Sequence, residues 1–277
     1  MEFRYDILTR FNDLDSQSHV NSAFYEVYSS EAQFYILSKF GYSFQALLQK
    51  GLSVRPQYAQ IQFIQQQLPQ KKLFISTNFG FENKNLIWEH TFFDDEEKKI
   101  CIHHVVNSIV NKENNFVIPE DLKPKKIEIF PISSFSNNCK QSLMEHTIRH
   151  IDLDGFRNVS TINVWRLNEE ARWLFFKEVN LPFQTLFEQN YSFFWIDGIY
   201  KYYDFPKLDE EIKINSWIEK IKGARILIRQ DALNKENHKL LYSTLSEFVT
   251  VDLARLRAVR IPDYFKESFI HYTEYKL

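Results

Sequence analysis

Two segments of the chain carry apolar residues at the three- and four-residue spacing of an amphipathic helix. They are residues 23–40, which stop before Gly41, and residues 161–179. This spacing puts the apolar side chains on one face of a helix. A shorter segment of the same kind follows each one, at residues 43–49 and 183–189. The pattern therefore predicts two long helices, each followed by a short one.

Alternating apolar segments, which are typical of strands, fill most of the remaining chain. One precedes each long helix and four follow it. The predicted strands are residues 3–11, 53–67, 72–81, 86–93 and 99–110, then 142–151, 191–203, 210–221, 224–232 and 239–251. A parallel sheet would need helices between the later strands. The order therefore predicts an α+β fold with two antiparallel β-sheets, each wrapped around one long central helix.

A gapless repeat relates the two halves of the chain. Residues 10–33 align with residues 149–172 at a constant offset of 139, and seven positions are identical, whereas composition alone gives roughly one or two matches. The identical pairs are Arg10/Arg149, Asp13/Asp152, Leu14/Leu153, Asp15/Asp154, Val20/Val159, Glu31/Glu170 and Ala32/Ala171. The repeat predicts an N-terminal domain at 1–118, a proline-containing linker at 119–141 and a C-terminal domain at 142–277.

Composition narrows the range of functions. Hydrophobic residues make up 44% of the 277 residues and the formal net charge is −2, so a folded protein is expected and a nucleic-acid partner is not. The six glycines are too far apart for a phosphate-binding loop. Cys101 and Cys139 form no C-x-x-C pair, and no membrane span or signal peptide is visible. We therefore expect a cytoplasmic protein without a metal or another cofactor.

The first copy of the repeat contains a motif whose side chains could take part in catalysis. Residues 13–21 read DLDSQSHVN, and Glu31 follows on the predicted helix. This stretch resembles the signature of the hotdog-fold thioesterases, both the 4-hydroxybenzoyl-CoA thioesterase-like group and the acyl-ACP thioesterases, whose motif runs D-L-D-x-N-x-H-V-N-N. Gln17 and Ser22 stand where that motif has asparagine. The resemblance implies two hotdog domains in tandem and an acyl-CoA or acyl-ACP thioester hydrolase of fatty acid metabolism.

The resemblance also implies roles for single residues. Asp15 is expected to act as a general base or as a nucleophile, and we favour the general base. His19 is expected to orient the water or share a proton, and Glu31 to position water or Asp15. Asn21 is expected to cap the helix or to donate a hydrogen bond to the thioester carbonyl. The helix N-terminus would polarise the thioester carbonyl. The structural alternatives are ordinary helix capping by Asp15 and Asn21 and a solvent-exposed helix position for Glu31.

The second copy has diverged from this motif. Asn158 replaces His19, whereas Asp154 and Glu170 persist. Hotdog sites form between paired units, so a tandem chain can keep one good site and let the other decay. We therefore expect Asp15 to be active, and the second copy to be a weaker site or a structural relic.

Basic residues suggest where a polyanionic substrate would bind. Arg157 and Arg172 are candidates for contacts with the phosphates of CoA, although a solvated helix face also explains Arg172. Clusters at residues 123–126 and 255–260 would suit CoA or an acidic acyl carrier protein, but solubilising surface charge is the commoner explanation. A monomer is feasible for a double hotdog, and so is a homo-oligomer.

Two other functions remain open. A hotdog hydratase or dehydratase acting on a 3-hydroxyacyl or enoyl thioester would also use a carboxylate and a histidine. A catalytically degenerate hotdog that binds acyl chains would explain the loss of histidine at Asn158. Hydration of crotonyl-CoA would identify the first, and co-purified lipid without turnover would identify the second.

Overall fold

A computed structural model describes residues 2–16, 18–65, 72–83, 85–111, 125–136 and 138–275 of the chain. The chain divides into two units, Met1–Ile129 and Phe130–Leu277. The boundary falls within the segment predicted as a linker, residues 119–141. Gln17, residues 119–124 of this linker and residues 66–67 of a predicted strand lie outside the described residues, and so do two residues of the basic cluster at 123–126.

The first unit contains two helices and five strands among its described residues. Its strands form one antiparallel sheet in the order β1-β3-β4-β5-β2. The elements are β1 (Glu2–Leu8), a 3-10 turn (Phe11–Asp13), α1 (Ser22–Lys39), α2 (Phe44–Gln49), β2 (Leu52–Phe63), β3 (Lys72–Glu82), β4 (Asn85–Phe93) and β5 (Lys99–Asn111).

The second unit repeats this plan and adds a C-terminal extension. Its main strands are antiparallel in the equivalent order β6-β8-β9-β10-β7. The elements are β6 (Ser142–Thr147), a 3-10 turn (His150–Asp152), α3 (Thr161–Glu178), α4 (Phe183–Glu188), β7 (Tyr191–Tyr202), β8 (Glu211–Lys222), β9 (Arg225–Asn234), β10 (Leu240–Asp252), β11 (Arg257–Ala258), α5 (Asp263–Phe269) and a 3-10 turn (Ile270–Tyr272).

The sheet of the first unit packs against α1. Tyr25 of α1 is buried, and its ring lies 5.2 Å from that of Phe63 in β2 and 5.3 Å from that of Phe92 in β4. Ile36 and Leu37 are buried about three turns further along the helix. Burial of these large side chains stabilises the helix against the sheet. The predicted α+β architecture is confirmed.

The core of the second unit is rich in phenylalanine. Phe175 and Phe176 of α3 join a buried cluster, and the ring of Phe176 stacks on that of Phe193 in β7 at 5.1 Å. Helix α5 adds Phe265 and Phe269 to the same cluster. The sequence pattern did not reveal α5, because a helix of seven residues shows only one pair of apolar residues at helical spacing.

The backbone extends the repeat well beyond residues 10–33. Helices α1 and α3, helices α2 and α4, and strands β2 and β7 correspond residue for residue at the offset of 139. Each of these two strands also has a bulge at the same place, at Gln57 and Ile196. Left-handed residues recur in pairs, which are Ser18/Arg157, Gly41/Asn180, Gly51/Asn190, Asn83/Gly223 and Glu97/His238. The two units are therefore copies of one fold, to which the second unit adds its C-terminal extension.

The first strand of each unit is shorter than predicted. Strand β1 ends at Leu8 and β6 at Thr147, and a 3-10 turn follows each one. In the first unit the Asp13 N–H donates to the Arg10 carbonyl at 3.1 Å, and the Arg10 N–H donates to Asp13 Oδ2 at 2.8 Å. These local bonds take the backbone out of the strand.

We predict that Phe175→Ala lowers the free energy of unfolding by about 3–5 kcal/mol, because Phe175 is fully buried in the second core. The adjacent Leu174 is 38% exposed, so Leu174→Ala should cost less than about 1 kcal/mol. Urea unfolding of both variants measures the difference. Equal decreases in the free energy of unfolding would show that Phe175 does not lie in the core of the second unit.

Candidate active site

Asp15 and His19 lie at the two ends of one short loop. A β-bridge between Leu14 and Val20 closes the loop. Inside the bridge the Asp15 N–H donates to the His19 carbonyl at 2.8 Å, and the His19 N–H donates to Asp15 Oδ1 at 3.1 Å. Ser18 has a φ of 63°, which completes the reversal of the chain. The structure thus brings together the aspartate and the histidine that the sequence motif singled out.

The buried carboxylate of Asp13 fixes this loop to the rest of the unit. It accepts hydrogen bonds from Arg10 N at 2.8 Å, from Arg10 Nε at 3.2 Å and from the Tyr28 hydroxyl of α1 at 2.6 Å. Its own carbonyl oxygen accepts from the Asn21 N–H at 2.8 Å. Burial on its own raises the pKa of Asp13, but the hydrogen bonds from Tyr28 and Arg10 outweigh it and the pKa is lowered. We call these three side chains the Asp13 clamp.

Helix α1 begins directly after the loop, and Asn21 caps it. Asn21 Oδ1 accepts from the Ala23 N–H at 2.8 Å, and the Asn21 carbonyl accepts from the Phe24 N–H at 3.0 Å. Two N–H groups of the first turn are therefore already hydrogen-bonded and are not free to bind a carbonyl oxygen. Among the described residues the Ser22 N–H has no acceptor, and it lies at the positive end of the helix dipole.

Glu31 is exposed on α1, nine residues after Ser22 and thus about 13 Å along the helix axis. Its charge acts on Tyr5, whose pKa is raised chiefly by burial and then by Glu31, and on Arg10. These observations agree with Glu31 as a solvent-exposed helix residue and not with Glu31 as a neighbour of Asp15. The predicted role in positioning water receives no support from it.

The second motif has the same loop geometry. The Asp154 N–H donates to the Asn158 carbonyl at 2.7 Å, and Asp154 Oδ1 accepts from Phe156 N at 2.8 Å and from Asn158 N at 3.0 Å. Arg157 occupies the left-handed position, with a φ of 63°, and its side chain is exposed. Burial raises the pKa of Asp154, and the two N–H groups offset this only in part. The net result is that the pKa of Asp154 is raised.

The clamp of the second unit uses a different donor. Asp152 accepts from Arg149 N at 2.8 Å, and His146 Nε2 of β6 lies 2.9 Å from its Oδ2. His146 takes the place of Tyr28, because the residue of α3 that corresponds to Tyr28 is Leu167. Ser160 caps α3 by accepting from Asn163 N at 3.3 Å. Anchoring of the loop is thus common to both units, although the residues differ.

The other candidates of the second unit divide between surface and interior. Glu170 is exposed, as Glu31 is in the first unit. Arg172 is buried, with only 6% of its surface exposed, so the solvated helix face considered for it is wrong. It lies four residues after buried Asn168 and three before buried Phe175, on the face of α3 that packs on the sheet.

A chain of buried polar side chains lies beneath α1 and was not predicted. Gln33 Nε2 lies 3.1 Å from His90 Nε2, and the Asn107 amide donates to Gln33 Oε1 at 2.6 Å. Thr77 Oγ1 lies 2.8 Å from His90 Nδ1. Burial lowers the pKa of His90 to about 3, so the imidazole is neutral at physiological pH. The polar Gln33 within the apolar stripe of α1 is the sequence signal that points to this chain.

A second buried set superficially resembles a nucleophilic triad. Ser29 Oγ lies 2.8 Å from His103 Nδ1, and Glu26 Oε2 lies 3.6 Å from His103 Nε2. All three side chains are buried, and burial lowers the pKa of His103. The Ser29 hydroxyl has no exposed surface and is already bound to His103. We therefore assign these residues to helix packing.

In the part of the chain that the structure describes, no group of three or more His, Cys, Asp or Glu side chains could hold a metal ion. Nor is any helix there long and apolar enough to cross a membrane. Cys101 is buried and Cys139 is half-buried, and both are free thiols.

Comparisons with known proteins place this geometry in context. No family model matches the chain. It is 28% identical to the acyl-CoA thioesterase YbgC of Haemophilus influenzae over 104 residues, which are 37% of this chain and 75% of that protein.

Two solved structures match nearly the whole chain. The 12:0-ACP thioesterase from Umbellularia californica has a TM-score of 0.70 at 11% identity, covering 90% of this chain and 94% of that one. An acyl-ACP thioesterase from Bacteroides thetaiotaomicron has a TM-score of 0.68 at 13% identity, covering 89% and 97%. The chain therefore has the tandem hotdog fold, as the motif resemblance predicted.

We predict that Tyr28→Phe lowers the free energy of unfolding by about 1–3 kcal/mol, because the buried Asp13 carboxylate loses its hydroxyl donor. Tyr35→Phe, on the exposed side of the same helix, should change it by less than about 0.5 kcal/mol. Urea unfolding compares the two. Similar values for both variants would refute the Asp13 clamp.

We also predict that the stabilisation from Asp13 depends on pH. The folded-state pKa lies below the unfolded value of about 3.9, so the contribution is complete above that value and is lost as the pH falls through the folded pKa. The difference in unfolding free energy between wild type and Asp13→Asn should shrink between about pH 5 and pH 2. A constant difference over that range would contradict the ionised clamp.

Proposed function

We propose that this protein hydrolyses acyl thioesters, and that the reaction takes place at the loop of Asp15 and His19 where it enters α1. The observation that carries the proposal is the loop at a helix N-terminus in which the backbone N–H of His19 donates to the Asp15 carboxylate and the Asp15 N–H donates to the His19 carbonyl. Support comes from the tandem hotdog fold, which proteins named as acyl-ACP thioesterases share over about nine tenths of this chain.

The proposed mechanism begins with the thioester carbonyl at the start of α1. The Ser22 N–H and the helix dipole polarise the carbonyl oxygen. Asp15 removes a proton from a water molecule, and the resulting hydroxide oxygen forms a bond to the carbonyl carbon. The negative charge moves to the carbonyl oxygen, where the same N–H stabilises it.

Collapse of this tetrahedral intermediate breaks the carbon–sulfur bond. The sulfur leaves as a thiolate and takes up the proton held by Asp15, so that a carboxylic acid and a thiol are formed. His19 orients the water or shares the proton in transit. The loop geometry suits a general base, because the His19 N–H holds one carboxylate oxygen of Asp15 in place.

The substrate class that we propose is an acyl-CoA or an acyl-ACP. The Haemophilus influenzae relative is named for acyl-CoA, and the two structural neighbours are named for acyl-ACP. Arg157, exposed on the second loop, is a candidate contact for CoA phosphates. A role in fatty acid metabolism, a cytoplasmic location and assembly into oligomers stay predictions.

We propose that the second loop is the weaker site. It keeps Asp154 but has Asn158 in place of His19, and an amide cannot exchange a proton near neutral pH as an imidazole can. The raised pKa of Asp154 is an argument on the other side, because proton transfer favours a carboxyl group whose pKa is nearer to neutrality. The two loops therefore have to be tested in parallel.

Hydrolysis of a panel of acyl-CoAs and acyl-ACPs by wild type, Asp15→Asn and Asp154→Asn tests the proposal. We predict that Asp15→Asn lowers kcat roughly a hundredfold or more, since the general base is lost. Asp154→Asn should leave kcat nearly unchanged. Both substitutions keep side-chain volume, and circular dichroism confirms that each variant is folded.

A wild-type protein that hydrolyses none of the panel, or an Asp15→Asn variant with full activity, would refute the proposal. Retained lipid without turnover would favour the degenerate acyl-binding protein. Hydration of crotonyl-CoA without hydrolysis would favour the hydratase.

A further inference from the structure

Arg172 is a charged residue in the interior of the second unit. It lies on α3, and its guanidinium carbon lies 5.4 Å from the ring centre of Trp195 and 5.1 Å from that of Phe248. Its hydrogen bond within the described residues goes from Nη1 to Gln230 Oε1 at 3.4 Å, which is long for such a bond. Two aromatic rings and one amide thus surround a full positive charge.

Such an arrangement costs free energy. An arginine cannot lose its proton at physiological pH, and a buried charge is stabilised mainly by pairing with an opposite charge. Among the described residues no Asp or Glu oxygen lies within the 4.0 Å ion-pair distance of Arg172. The cation therefore lacks the partner that its burial calls for.

Arg229 of the same unit shows how a buried arginine is satisfied elsewhere in this fold. It is 3% exposed and lies over the ring of Trp217, much as Arg172 lies over Trp195. Unlike Arg172, it pairs with Asp231 at 2.9 Å and lies 3.9 Å from Glu219. The contrast indicates that Arg172 is placed for an anion that the second unit does not itself supply.

The position is also peculiar to the second unit. The corresponding residue of the first unit is Gln33, a neutral side chain whose amide is bonded to His90 and Asn107. The fold therefore does not require a cation at this place. A neutral residue satisfies the same position in the other copy.

Polar groups accompany the guanidinium on the facing strand. Thr244, Ser246 and Phe248 alternate along β10 and so point to one side of it, the side where Phe248 meets Arg172. Thr244 Oγ1 and Ser246 Oγ are buried and accept or donate no hydrogen bond within the described residues. Hydroxyl groups on the same side of the strand are suitable donors for the oxygens of an anion that a guanidinium binds.

The surroundings of these polar groups are apolar. Phe248 belongs to the buried phenylalanine and isoleucine cluster of the second unit, and Trp195 packs against it. Trp195 is partly exposed, and its ring lies directly over Gly198, where an added Cβ would approach within 2.3 Å. Trp195 is thus the partly exposed residue of this group, and a ligand of Arg172 needs an apolar body behind its charged group.

We propose that the second unit binds an amphipathic carboxylate, a fatty acid anion, with its carboxylate on the guanidinium of Arg172 and its chain among the aromatic side chains. The planar guanidinium matches a carboxylate with two parallel hydrogen bonds. The binding requires no turnover and does not rest on the proposed hydrolysis. A thioesterase would nevertheless produce such an anion as its product.

Calorimetric titration with decanoate, and with 1-decanol as a neutral probe of equal chain length, tests the proposal. Wild type should bind decanoate more tightly than decanol. Arg172→Gln should weaken decanoate binding roughly tenfold or more and leave decanol binding unchanged. Arg166→Gln, at an exposed position of the same helix, is the matched control and should bind both probes as wild type does.

Arg172→Lys keeps the charge but loses the planar fork, so its affinity for decanoate should fall between those of wild type and Arg172→Gln. This variant also covers the case in which the glutamine variant does not fold. Decanoate should raise the Tm of wild type and of Arg166→Gln more than that of either Arg172 variant. Equal decanoate affinity in wild type and a folded Arg172 variant would overturn the proposal.

Discussion

The candidate active site depends on one buried carboxylate, that of Asp13. Its hydrogen bonds from Arg10 and Tyr28 tie the segment after the first strand to the second turn of α1. Its carbonyl oxygen holds Asn21 at the start of that helix. The loop between these anchors has little freedom left, so Asp15 and His19 are held together. A charge without these donors would be too costly to bury. The chemistry proposed for Asp15 thus depends on the hydrogen bonds that hold Asp13 in place.

Most of the fold could be predicted from the sequence, because the repeat makes each half a check on the other. Six of the seven identical pairs have a structural reason. Arg10/Arg149 and Asp13/Asp152 form the clamps, Leu14/Leu153 and Val20/Val159 form the bridges, Asp15/Asp154 lie in the loops, and Ala32/Ala171 are buried in the helix packing. Nothing in the structure explains the pair Glu31/Glu170, which is exposed. A polar residue that is identical in both repeats therefore indicated a position that resists change, but did not tell whether its role is in folding or in function.

Partners that are distant in the sequence could not be predicted. Tyr28 and His146 fill the same role from different elements, and only the folded chain brings each beside its aspartate. The burial of Arg172 was missed for a related reason. Arginine is usually exposed in folded proteins. Its position on α3 predicts burial only once it is known which face of the helix packs on the sheet. The two units therefore share a backbone fold but differ in their interiors, where the neutral Gln33 of the first unit corresponds to the cationic Arg172 of the second.

The most direct test of the account is a crystal structure with a non-hydrolysable thioether analogue of an acyl-CoA that keeps the carbonyl group. The account predicts that the carbonyl oxygen accepts a hydrogen bond from the Ser22 N–H and that the Asp15 carboxylate lies within about 4 Å of the carbonyl carbon, close enough to act through one water. A carbonyl group bound instead at Asp154 and the start of α3, or away from both loops, would contradict it.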